Sequence, residues 1–260
     1  MAKILVIGAT HGHEKIGLKV IESLRLLNID RTLLDFEIGN PEAEKKSIRL
    51  VESDLNRVFP GKEYGTYEER RAYVLSKKIH EADIVFDIHS TNTYDLGPLS
   101  SLIVTKYDEA TQHIIDVIKP PKLLYVSYKN ENALISQACI GIAFEYGQDS
   151  SIKVLASILF DIAKILVNQN IIKSNPYTNP RDMQKTEVFE VYDAFLKDFP
   201  GTYTLAPQIK NFDLCQKGAL VCTTTNTEKS MYASEEFYPI LFGEESYTEI
   251  LGFKARKVDS

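Results

Sequence analysis

From its N-terminus to residue 168 the chain switches repeatedly between two hydrophobic periodicities, and that alternation limits what it can fold into. Residues 3–9 (KILVIGA) are apolar throughout after Lys3 and are closed by a glycine-containing turn, as in a strand covered on both faces. Residues 15–27 then carry Ile16, Val20, Ile21, Leu24 and Leu27 at helical spacing. Residues 31–38 read as a second strand, closed by Gly39-Asn40-Pro41, and a long polar loop follows as far as Pro60-Gly61. A helix with one charged face is expected over 67–81, and strands over 83–88, 101–105, 122–128 and 140–144. Helices are expected over Glu109–Ile118 and Ile152–Asn168. Strands alternating with helices predict an α/β fold, a mixed sheet with helices on both faces.

The pattern changes over 174–182, where Pro176 and Pro180 stand among asparagine and serine as in a linker. Beyond it come short alternating runs at 187–192, 219–224 and 238–242, separated by turn residues, which read as a small β-rich domain. The expected division is 1–173 and 174–260.

Bulk properties exclude several classes. A net charge of −6 argues against a nucleic-acid partner, which would call for a basic face. Cys139, Cys215 and Cys222 are an odd set without a Cys-x-x-Cys pair, so thiols in a reducing compartment are expected rather than a disulfide framework. Met1-Ala2-Lys3 leads straight into a strand with no signal-peptide core. The most apolar later stretch, 154–167, is short and interrupted by Asp161 and Lys164. A cytoplasmic protein without a membrane partner is expected, and homo-oligomerisation is left open.

Three polar clusters directly follow apolar runs, where α/β proteins place their chemistry. They are Thr10-His11-Gly12-His13-Glu14, Asp87-Ile88-His89-Ser90 and Glu145-Tyr146-Gly147. His11, Glu14 and His89 make a ligand set for catalytic zinc, two imidazoles and a carboxylate with one position left open. Glu145 supplies a carboxylate to take a proton from water and pass it to a leaving amine. His13 competes as a ligand, while His80 and His113 fall within expected helices and read as structural. Arg49, Asn56 and Arg57 lie in a stretch too polar for core and fit recognition of an anion, because guanidinium grips carboxylate with two parallel hydrogen bonds. Asp87 shares a strand face with His89 and could orient its imidazole.

These residues sit within a longer series: Gly8…His11-Gly12-x-Glu14, Asn40-Pro41, Asp54-Leu55-Asn56-Arg57-x-Phe59, Tyr67-Glu68-x-Arg70-Arg71-Ala72, Asp87-x-His89-x-Thr91 and Glu145-x-Gly147. The series resembles the aspartoacylase/succinylglutamate desuccinylase family, relatives of the zinc carboxypeptidases, from Met1 to about Gln148 and again over 243–254. The resemblance implies a zinc-carboxypeptidase-like catalytic domain, one Zn(2+) per subunit on His11, Glu14 and His89, and Glu145 activating water. It implies Arg49 polarising the scissile carbonyl, Asn56 and Arg57 holding an α-carboxylate, and Tyr247 on a C-terminal domain that closes over the site. The implied substrate is a small anionic N-acyl amino acid, hydrolysed at its amide bond.

One position departs from the family pattern. Members selective for N-acetylaspartate carry arginine ten residues before the catalytic glutamate, and this chain has Ile135 there. Lys129 and Arg181 are the charges that could replace it. The alternatives to a deacylase are a zinc metallocarboxypeptidase acting on small peptides and a non-catalytic metal-binding protein. The retention of both Glu145 and Arg49 weighs against the second.

Overall fold

In a computed structural model of the chain, residues 2–91, 101–179, 185–225, 229–244 and 247–258 are described. Arg181 and the end of the expected linker, 180–182, lie outside the described residues. Contacts divide the chain into two compact units, the described residues up to Thr186 and those from Glu187 onward.

In the first unit, β1 (Ile4–Gly8), α1 (Ile16–Arg25), β2 (Leu34–Ile38), α2 (Pro41–Lys46) and α3 (Tyr67–His80) precede β3 (Ile84–His89) and β4 (Ser101–Val104). They are followed by α4 (Glu109–Ile118), β5 (Lys122–Val126), β6 (Ile140–Glu145) and α5 (Ile152–Asn168). The strands lie in the order β5-β4-β6-β3-β1-β2. From β6 to β2 every pair is parallel, while β4 runs antiparallel to β6 and parallel to β5. The sheet is therefore mixed, as the alternation of periodicities predicts.

Side chains alternate across these strands, so Leu5, Ile7, Val85 and Ala143 share one face. They pack with Ala72, Leu75 and Ile79 of α3, with Leu55, Leu134 and Ile135 from two short 3-10 turns, and with Phe59 just beyond the first turn. Each buried aliphatic side chain of that size contributes about 1.5–3 kcal/mol. Helix α5 packs against both α1 and α4, outside this cluster.

Local chemistry sets the helix starts. A capping box between Thr66 and Glu69 begins α3, and the side chains of Asp108 and Ser151 cap α4 and α5. Lys15 gives α1 no side-chain cap; instead the Asp149 carboxylate accepts from the backbone N–H of Lys15 and Ile16 at 2.8 and 2.9 Å. The expected helix over 15–27 stops at Arg25, with Leu26 84% exposed and Asn28 in the left-handed region.

The second unit is β-rich. Strands β7 (Glu187–Leu196), β12 (Ile250–Val258) and β11 (Tyr238–Ile240) pair antiparallel, as do β9 (Leu220–Thr224), β8 (Tyr203–Leu205) and β10 (Ser230–Tyr232). Its core is built on Phe195, Phe237 and Phe242, with Cys215 and Cys222 buried as free thiols. Among the described residues, no helix is long and apolar enough to cross a membrane.

Candidate functional site

Because β1, β3 and β6 are neighbours and parallel, their C-terminal ends share one edge of the sheet. His11 and Glu14 follow β1, His89 ends β3, and Glu145 ends β6 as the register partner of His89. Directly after β1, Ala9 adopts a left-handed φ of 56°, a conformation that costs an alanine about 1–2 kcal/mol and turns the chain into the His11 loop. The loop then passes so close to α2 that a Cβ at Gly12 would lie 2.1 Å from the Ala43 carbonyl carbon. Only glycine lets the two backbones approach this far.

One ligand atom each from His11, Glu14 and His89 lie within 4.8 Å of one another, all three residues buried. Nδ1 of His11 is 2.7 Å from Oε1 of Glu14, and Nδ1 of His89 is 2.9 Å from Oε2. The backbone N–H of Ser90 also donates to that Oε2. Each imidazole meets a second carboxylate through its other nitrogen, His11 Nε2 to Asp54 at 3.2 Å and His89 Nε2 to Asp87 at 2.8 Å. Thr10 donates in turn to the other oxygen of Asp87 at 2.6 Å. Two imidazoles and a carboxylate, with each imidazole braced from behind by an acidic group, are the donor chemistry zinc takes.

The electrostatics favour positive charge at the centre. Burial alone would lower both histidines, but Glu14 and Asp54 raise His11, while Asp87 and Glu14 raise His89 well above the ordinary imidazole range. The Glu145 carboxyl is pushed up to about 7, first by burial, with the His89 charge and the Thr91 hydroxyl acting in the opposite direction. Thr91 Oγ1 donates to Glu145 Oε2 at 2.6 Å.

The anion-recognition residues enter from the polar loop of the same unit. Arg49 Nη2 lies 3.1 Å from Asp54 Oδ2, so Asp54 touches both His11 and Arg49. Asn56 accepts the backbone N–H of Leu134 at its Oδ1, at 2.8 Å, which fixes the amide so that its Nδ2 donor faces the opposite way. Arg57 is exposed and donates from Nη1 to the Asn56 carbonyl.

Other expectations fare differently. His13 is not one of the converging ligands; its ring centroid is 6.4 Å from that of His11. Tyr247 belongs to the second unit, where its ring packs edge-on against Phe253. Ile135 is 4% exposed within the apolar cluster under α3, so its side chain is a core element. Lys129 stands over the ring of Tyr128. His80 and His113 are exposed on α3 and α4. Sequence reasoning gave no role to Asp54, Thr10 or Thr91, although Asp54 and Thr91 stand in the quoted motifs; a lone polar residue in a loop carries no periodicity, and folding alone reveals its partner.

Known proteins resemble the chain in sequence and in fold. Residues 1–151 match the succinylglutamate desuccinylase/aspartoacylase catalytic domain. A probable aspartoacylase from Acaryochloris marina (strain MBIC 11017) is 30% identical over 191 residues, 65% of this chain and 62% of that protein. The chain thus spans less than two-thirds of that relative's length. The N-acyl-aromatic-L-amino acid amidohydrolase (carboxylate-forming) B of Danio rerio is 26% identical over 95% of this chain and 89% of its own. The crystal structure of murine aminoacylase 3 superposes with a TM-score of 0.73 at 19% identity, covering 99% of this chain and 95% of that one, a likeness of fold.

Proposed function

Since the chain belongs to the succinylglutamate desuccinylase/aspartoacylase family, we propose that it hydrolyses the amide bond of an N-acyl amino acid, using one zinc ion held by His11, Glu14 and His89. The observation that carries this reading is the convergence of those three side chains beside a fourth, Glu145, whose strand position is in register with His89. Zinc in such a set supplies Lewis acidity toward a carbonyl oxygen and toward water.

The remaining work falls to the chain's own residues. Glu145 takes a proton from the attacking water on Oε1 while Thr91 holds Oε2. As water oxygen bonds to the acyl carbon, negative charge gathers on the former carbonyl oxygen, and the Arg49 guanidinium, steadied by Asp54, stabilises it. Glu145 then gives its proton to the amide nitrogen and the C–N bond breaks; the remaining proton of the new carboxylic acid passes to the freed amine, and a carboxylate and an ammonium-form amino acid leave. Asn56 Nδ2 and Arg57 take the α-carboxylate, which sets the register of the scissile bond.

Within this reading N-acetylaspartate is not the preferred substrate. No arginine stands at position 135, and a relative aligned along nearly the whole chain is named for N-acyl-aromatic amino acids. The test is side-by-side kinetics on N-acetylaspartate, N-acetylglutamate, an apolar N-acetyl amino acid and an unacylated dipeptide. Turnover of the N-acyl amino acids, led by the apolar one, supports the proposal. Turnover of the dipeptide alone would make the protein a carboxypeptidase, and the highest kcat/KM for N-acetylaspartate would overturn the substrate preference.

A further inference from the structure

The loop 49–57 carries Arg49, Asp54, Asn56 and Arg57, yet over 48–54 it contains no helix or strand to hold it. Its backbone N–H groups must find partners elsewhere. Three consecutive ones, from Val51, Glu52 and Ser53, converge on the carboxylate of Glu68 at 2.6, 3.1 and 3.0 Å. Successive amides pointing at one spot form an anion-binding concavity, and here the chain's own side chain fills it. Asn40 Nδ2 adds a fourth bond to Glu68 at 3.0 Å. Glu68 and Asn40 are both fully buried, and among the described residues no lysine or arginine pairs with Glu68. Amide dipoles rather than a counter-charge satisfy this carboxylate, so it orients the backbone around it.

Its attachments run toward both halves of the site. Glu68 sits in the first turn of α3, behind the Thr66 cap, on a rigid element whose positive end suits a carboxylate. The Asn40 that donates to it also caps α2 by accepting from Ala43 N–H at 3.2 Å, and α2 is the element against which Gly12 of the His11 loop is pressed. Gly12 N–H in turn donates to the Arg49 carbonyl.

We propose that Glu68 is a positioning residue for substrate recognition, holding the 51–53 amides so that Arg49 on one side and Asn56 and Arg57 on the other meet the substrate's carbonyl and α-carboxylate. This rests on the reading of Asn56 and Arg57 given above. Glu68→Gln keeps the side chain's shape but turns an NH2 group toward backbone N–H donors, releasing part of the loop. The metal ligands lie on other segments. The variant should therefore fold and take up one zinc at saturating metal, and, because the released loop carries both Arg49 and the α-carboxylate contacts, show kcat/KM for an N-acyl amino acid lowered about tenfold or more with KM raised. Glu68→Asp, which keeps the charge but shortens the reach, should restore part of the loss, and it serves as the test variant if Glu68→Gln does not fold.

Hydrogen exchange supplies a readout independent of turnover. The amides of Val51, Glu52 and Ser53 should exchange slowly in the wild type and quickly in Glu68→Gln, with β1 and β3 unchanged. A zinc-loaded Glu68→Gln with KM within twofold of wild type overturns the proposal, as do wild-type amides at 51–53 exchanging as fast as open loop. If the wild type hydrolyses no N-acyl amino acid, the functional reading fails; exchange protection at 51–53, lost in Glu68→Gln, then still supports the holding role, and its absence rejects it.

Discussion

The Thr91 hydroxyl donates a 2.6 Å hydrogen bond to Oε2 of Glu145, from the residue two places beyond the end of β3 to the last residue of β6. It occupies one carboxylate oxygen and leaves the other for the proposed proton transfer. Thr91→Val preserves shape and removes the donor to a charged group, an interaction of about 1.5–3 kcal/mol. The expected outcome is kcat lowered by roughly tenfold or more with zinc content unchanged, while Thr91→Ser stays near wild type. Steady-state kinetics on zinc-quantified protein check this.

As the proposed base, Glu145 must be ionised to act, and this sets the expected pH dependence. Burial pushes its carboxyl up to about 7 in the metal-free protein. A bound dication draws that value down, so the acid limb of kcat/KM is expected at or below about pH 7, with activity falling as pH drops through it. A pH–rate profile measures it directly. An acid limb above pH 8 would be inconsistent with Glu145 as the base.

Asp54 braces two groups at once, His11 Nε2 at 3.2 Å and Arg49 Nη2 at 3.1 Å. Partners of this kind are typically worth 10–100-fold in metal affinity. Asp54→Ala should bind zinc about 10–100-fold more weakly by competition with a chelator, and should remain impaired in kcat/KM when zinc is saturating, because Arg49 is freed as well.

Gly12→Ala tests the approach of the His11 loop to α2. The added Cβ would meet backbone atoms of Ala43 and Glu44 at 2.1–2.5 Å, which neither segment can avoid without moving. A stability loss of about 1–3 kcal/mol or more in denaturant unfolding is expected, together with weaker zinc binding. Wild-type values for both would show that the contact does not constrain the loop.

Acid sensitivity should trace partly to Glu68. Burial would raise its carboxyl, but the Val51 N–H, the Asn40 amide and the Ser53 and Glu52 N–H groups hold it below the usual range. A depressed folded-state pKa contributes stability that is fully present above the unfolded value of about 4.3 and is lost as pH falls through the lower folded value. Unfolding free energies of wild type and Glu68→Gln should therefore converge as pH falls from about 4.3 through the depressed folded-state value.

Much of this arrangement was legible in the sequence because β1, β3 and β6 are covered strands, and their apolar runs stop where the polar clusters start. Helix α2 was hidden within an expected loop, since only Ala43 among its six residues is buried. Its signal was chemical: Asn40 as cap, Pro41 at the first position, glutamates in the first turn and lysines in the last. The pairing of His89 with Glu145 depends on β3 and β6 being neighbours, and strand order leaves no mark on local periodicity. Asp54 reaches His11 across 43 residues of chain, and the Glu68 carboxylate collects three amides that any sequence would possess. β12 was missed because Lys254, Arg256 and Lys257 obscure its alternation.

Zinc titration of metal-free protein, with hydrolysis of an apolar N-acetyl amino acid as the readout, bears most directly on the proposed function. Activity should rise linearly with added zinc and level off at one ion per chain, and Glu145→Gln should bind the same single ion with turnover lowered about 10²–10⁴-fold. Full activity without metal, or one tightly bound zinc without hydrolysis of any N-acyl amino acid, would contradict it.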